Sequence, residues 1–97
     1  MARILEIDDD PGSRTRVARF LEPRGHRIIV ATTASEGVRL ARAKRPGVVL
    51  LAQKLPDRSG IEVCKILKGD PATGRIPIVI LLDQPDPIER RQRVGPQ

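Results

Sequence analysis

One stretch restricts this chain more than any other: Gly47-Val48-Val49-Leu50-Leu51-Ala52-Gln53-Lys54-Leu55-Pro56-Asp57-Arg58-Ser59-Gly60. Its first half is an unbroken apolar run with no polar alternation. A strand of that kind is covered on both faces, as in the middle of a parallel sheet wrapped by helices. Its second half is polar and holds a proline and a glycine, so residues 53–60 read as a loop leaving the strand's carboxyl end. Open parallel sheets place their chemistry outside those ends. The side chain expected to carry function there is Ala52, a methyl group.

The remaining chain alternates around this strand. Residues 4–7 form a first short strand, closed by Asp8-Asp9-Asp10. Asp10 followed by Pro11 fits a helix N-cap with proline at the first helical position. That helix carries Val17, Phe20 and Leu21 on one face and stops where Pro23 and Gly25 appear. Residues 27–31 form a second strand. Thr33-Ala34-Ser35-Glu36 has capping-box spacing and starts a helix that runs to about Arg45. Ser59 or Gly60 opens a third helix, with Ile61, Cys64 and Leu67 expected inward. Residues 76–82 read as a fourth, continuously apolar strand, and residues 88–94 as a last, Arg-rich helical piece. The order β-α-β-α-β-α-β-α predicts a parallel sheet with right-handed crossovers and helices on both faces. No repeat or linker is visible, so residues 1–97 are expected to form a single domain.

Composition narrows the classes. Eighteen basic residues against twelve acidic ones give a formal charge of +6. The arginines are scattered over several helices and the chain has one Phe and no Trp or Tyr. There is thus no stacking platform for single strands and no helix-turn-helix, and sequence-specific nucleic-acid binding is not supported. One cysteine cannot form an internal disulfide, and Cys64 reads as core. His26 has no second metal ligand near it and reads as a surface residue. With no signal-peptide pattern and no apolar run near the ~20 residues needed to span a bilayer, the expectation is a cytoplasmic protein without membrane contact.

Several motifs together resemble one family. Ile4-Leu5-Glu6-Ile7-Asp8-Asp9-Asp10-Pro11, the Gly25-His26 turn, Arg45-Pro46-Gly47-Val48-Val49-Leu50-Leu51, Leu55-Pro56-Asp57-Arg58-Ser59-Gly60 and Asp70-Pro71-Ala72-Thr73 with Ile76-Pro77 are similar to the bacterial response-regulator receiver domain. The resemblance runs from Arg3 to about Leu82 with every motif in order. It implies an α/β fold, a doubly wound parallel sheet of the flavodoxin/CheY-like type. The strand order would be 2-1-3-4, with the fifth strand and fifth helix missing after truncation.

In that family two acidic residues after the first strand bind Mg²⁺, and an Asp at the end of the third strand accepts a phosphoryl group. A Thr or Ser after the fourth strand and a Lys after the fifth complete the switch. By resemblance the acidic pair falls on Asp8 and Asp9, the acceptor position on Ala52 and the hydroxyl position on Leu82; the Lys has no counterpart. A methyl group cannot attack phosphorus, so no catalytic residue is assigned and the chain is not expected to be an enzyme. The metal set reduces to Asp8, Asp9 and the backbone carbonyl of Lys54, against a cation that prefers octahedral oxygen ligands. No cofactor is expected beyond weakly held Mg²⁺, and an acidic patch that binds no metal stays open beside it.

Three functions follow. The leading one is a phosphorylation-independent receiver of a two-component system or phosphorelay, acting through a protein partner in a signalling pathway. The others are a basic nucleic-acid-associated domain on the same scaffold, and a receiver phosphorylated on a substitute carboxylate, Asp57 or Asp10 being nearest. A sheet lacking its fifth strand leaves the apolar fourth strand at an edge, where free backbone groups recruit other strands. A homodimer through that edge is the expected assembly.

Overall fold

The structure is a computed structural model and describes residues 2–82. The helical piece expected at 88–94, with the capping residues before it, lies outside the described residues. Four parallel strands, β1 (Arg3–Ile7), β2 (Arg27–Ala31), β3 (Val48–Ala52) and β4 (Ile78–Leu81), form one sheet in the order β2-β1-β3-β4. Three helices connect them: α1 (Pro11–Leu21), α2 (Ala34–Lys44) and α3 (Gly60–Gly69). The register aligns Glu6 with Val30 on one side and Leu50 on the other, and Ala52 with Leu81.

Each helix begins where local chemistry starts it. Asp10 caps α1 by accepting the Ser13 N–H at 3.2 Å, with Pro11 at the first position. Thr33 caps α2 through the Glu36 N–H at 3.1 Å. Ser59 and Glu62 form a reciprocal capping box at the start of α3. Gly25, at φ 83°, ends the short 3-10 turn Glu22–Arg24, and Arg45 closes α2 in the left-handed region at φ 44°.

The main core lies between the sheet and α2/α3. Leu5, Ile7, Val49 and Leu51 meet Ala34, Ala41, Val63 and Leu67 there. Small residues let α2 lie close: a Cβ at Gly37 would stand 2.5 Å from the Ile7 side chain. Gly60 does the same for α3, since a Cβ there would stand 2.3 Å from the Ala52 carbonyl oxygen. Buried Thr73 ties the loop after α3 to it by donating its hydroxyl to the Leu67 carbonyl at 2.7 Å.

Four expectations are corrected. Ile61 points to solvent and the inward face of α3 is Gly60, Val63 and Leu67, because docking through Gly60 rotates Ile61 outward. Phe20 is also exposed, its ring lying under the Arg24 guanidinium at 4.0 Å, while the α1 face nearer the sheet uses Val17 and Leu21. The fourth strand is shorter than 76–82. Ile76 still donates its N–H to Thr73 in the preceding turn, and Pro77, which has no N–H, enters the sheet only as an acceptor for Val49. His26 is half-buried, its Nδ1 accepting the Ala2 N–H at 3.1 Å, so it fixes the start of β1.

Candidate functional site

The carboxyl ends of β1, β3 and β4 open into a pocket of about 590 Å³. All five positions singled out from the sequence reach it: Asp8, Asp9, Ala52, Lys54 and Leu82 line the same space, with Arg16 from α1. Ala52 is buried at the end of β3. Its methyl group offers neither a nucleophile nor a metal ligand. Leu82 is exposed and carries no hydroxyl.

Asp8 is buried and already engaged. Its Oδ1 accepts the Asp10 N–H at 3.0 Å, its backbone carbonyl accepts from Arg14 Nη1 at 3.1 Å, and its own N–H donates to Ala31 at 2.9 Å. Asp9 is exposed. A hard divalent cation wants several oxygens around it. Among the described residues no three carboxylate, imidazole or thiolate side chains converge as a metal-ligand set. Asp8 and Asp9 are one carboxylate short, and the cationic Arg16 and Lys54 share their pocket. The donor set does not fit Mg²⁺ well.

The two substitute carboxylates that the sequence suggested, Asp10 and Asp57, are both helix caps. Asp10 holds α1. Asp57 reaches from the loop after β3 to the first turn of α2, where its two oxygens accept the Ala34 and Ser35 N–H groups at 2.8 and 3.0 Å. Those backbone donors, with Arg58 nearby, hold its carboxyl below the usual range. Its partners lie more than twenty residues away in sequence. Thr33 already satisfied the local capping pattern, so nothing in the sequence marked this role.

Glu6 is the second feature that sequence reasoning passed over. It sits in the middle of β1, fully buried, on the same face of the strand as Ile4 and Asp8. Neither carboxyl oxygen has a hydrogen-bond partner. Burial, and then the Asp8 charge, push its pKa up from 4.5 to about 7, with Arg14 opposing. The signal was available in an acidic residue inside the apolar run Ile4-Leu5-Glu6-Ile7.

Known proteins resemble this chain in sequence and in fold. The sequence profile of the response regulator receiver domain matches residues 4–93. Protein PilH of Pseudomonas aeruginosa is 37% identical over 81 residues, covering 84% of this chain and 67% of that protein. The transcriptional regulatory protein AfsQ1 of Streptomyces coelicolor is 34% identical over 89 residues, 92% of this chain but only 38% of that protein. The chain thus spans about two thirds of one relative and under two fifths of the other. Among solved structures, the N-terminal domain of a response regulator receiver protein from Methanoculleus marisnigri JR1 superposes with a TM-score of 0.82 at 32% identity, covering 98% of this chain and 77% of that one. With fold, strand order and sequence in agreement, the chain belongs to the response regulator receiver domain family.

Proposed function

We propose that this receiver domain signals without aspartyl phosphorylation, as a cytoplasmic protein-interaction module of a two-component or related pathway. The observation that carries the proposal is Ala52. An acyl phosphate needs a carboxylate at the end of β3, and that position holds a methyl group inside the pocket. Asp10 and Asp57, the substitute carboxylates suggested by the sequence, are engaged in capping α1 and α2, and the Asp8 carboxylate accepts the Asp10 N–H. Leu82 supplies no hydroxyl to read a phosphate. Mg²⁺ binding is correspondingly weak in this proposal, with only Asp8, Asp9 and the Lys54 carbonyl to hold the ion. Incubation with acetyl phosphate and Mg²⁺, followed by intact-mass measurement, tests it. No mass gain is expected. A base-labile gain of one phosphate, lost on replacing Asp8, Asp9, Asp10 or Asp57, refutes it.

A homodimer through β4 belongs to the same proposal. Ile78–Leu81 is uncharged and, among the described residues, stands at the sheet edge, with Val79 and Leu82 well exposed. Sedimentation equilibrium of the parent and of Ile80→Lys decides it. A dimer that dissociates in the variant is expected; a monomeric parent at hundreds of micromolar rejects it.

A further inference from the structure

Helices α2 and α3 do not close against each other along their outer edges. Between them lies an open groove of about 710 Å³, with Val38, Ala43 and Ile66 in its lining and Arg39, Arg42 and Arg58 among the residues around it. The groove follows from how α2 is used. Its small residues Ala34, Gly37 and Ala41 are buried, so the helix lies close to the sheet. The neighbouring stripe at 35, 38, 39, 42 and 43 is left beside α3.

The charge of the groove is one-sided in its available donors. Asp57 lines it too, each of its oxygens accepting one of the first amides of α2, so three guanidinium groups face one carboxylate there. Arg42 donates to Asp70 at 2.7 Å through Nε, which leaves its terminal amino groups for another acceptor. Arg58 faces Glu62 at 3.4 Å with both side chains about half exposed, a pair of little strength. Arg39 has no hydrogen-bond or ion-pair partner among the described residues. Around an aliphatic floor, these guanidinium groups match carboxylates, which arginine binds in two-point fashion. The α2 side is ~14 Å long from Ala34 to Ala43, room for about nine residues of a helix laid alongside.

We propose that the α2/α3 groove docks an acidic, aliphatic helical segment of a partner protein, its carboxylates on Arg39 and Arg42 and its aliphatic side chains on Val38, Ala43 and Ile66. This rests on the interaction role proposed above and names the partner's chemistry. The net charge of +6 draws such a segment in and makes encounter faster at low salt.

The probe is a fluorescein-labelled helical peptide of about twelve residues alternating Glu with Leu at helical spacing, beside a copy with Gln for every Glu. Anisotropy titrations and ¹⁵N–¹H spectra of the whole chain are recorded with each. The Glu peptide is expected to shift the amides of Ser35, Val38, Arg39, Arg42 and Ile66. The Gln copy and the exposed-site variant Arg39→Glu are each expected to weaken binding about tenfold or more. Ala43→Glu, also at an exposed position, gives a second variant with the same expectation. No binding at millimolar peptide, equal binding of the Gln copy, shifts confined to β4, or displacement by duplex DNA at other residues each overturn the proposal. These outcomes are independent of the acetyl phosphate result, so failure of the groove and failure of the phosphorylation-independent role are told apart.

Discussion

Glu6→Leu is expected to stabilise this domain at both ends of the pH range and by about 3 kcal/mol more at pH 8 than at pH 4, where only an unpaired neutral carboxyl is removed. Leu is close in volume to Glu, and across the sheet the flanking positions are Val30 and Leu50. A carboxyl whose pKa is raised from 4.5 to about 7 by folding penalises the folded state by about 3 kcal/mol once it is ionised in both states. The direction with pH follows from proton binding. Below 4.5 both states hold the proton and no ionisation penalty exists. Between 4.5 and 7 the folded chain keeps a proton that the unfolded chain has released, so stability falls as pH rises. Above 7 the full penalty applies. For a chain this short, ~3 kcal/mol corresponds to a rise in Tm of about 12–20 °C. Thermal unfolding of the parent, Glu6→Leu and Glu6→Gln from pH 4 to pH 9 measures it, and the difference between curves removes the titration of all other groups. Glu6→Gln is expected to recover part of the gain, because it removes the charge and leaves an amide without a partner. A Glu6→Leu gain that is the same at pH 4.5 and pH 8, or a loss at pH 8, refutes the reasoning.

Ala52→Asp returns a third carboxylate beside Asp8 and is expected to lower Tm without metal and regain it with millimolar Mg²⁺; an equal Mg²⁺ effect in the parent shows that Asp8 and Asp9 suffice. Gly60→Ala forces α3 off the Ala52 carbonyl, which a new Cβ would approach to 2.3 Å, and is expected to cost about 2 kcal/mol or more in urea unfolding; a change below ~0.5 kcal/mol counts against that contact. Arg45→Gly relieves a left-handed residue at the end of α2 and is expected to gain about 0.5–1 kcal/mol after the entropy of the added glycine, read from the same denaturant midpoint; destabilisation contradicts it.

The alternation of the chain, the caps at Asp10, Thr33 and Ser59, and the site positions Asp8, Asp9, Ala52, Lys54 and Leu82 were legible because each depends on neighbours in sequence or on motif order. Continuous apolar runs identify the strands, though not how far each is covered, since Val79 of β4 is exposed, and Ser/Thr/Asp followed by a helical pattern identifies the helix starts. Strand order was legible only through the family resemblance, and the sheet has that order. Periodicity failed at Ile61 and Phe20. An apolar stripe names the side of a helix that can be buried, while the rotation is set by whichever residues allow the closest approach, here Gly60 for α3.

Tertiary structure alone decided the rest. The sequence determines that β3 ends in a methyl group, which supplies no carboxylate for an acyl phosphate. It could not show that Asp57 crosses from one loop to cap a helix more than twenty residues away, because a cap supplied from a distance leaves no local pattern. Nor could it show that Glu6 is sealed without a partner or that α2 and α3 leave an arginine-rimmed groove. Those depend on which surfaces meet, and burial, charge environment and open space are properties of the packed chain rather than of any segment in it.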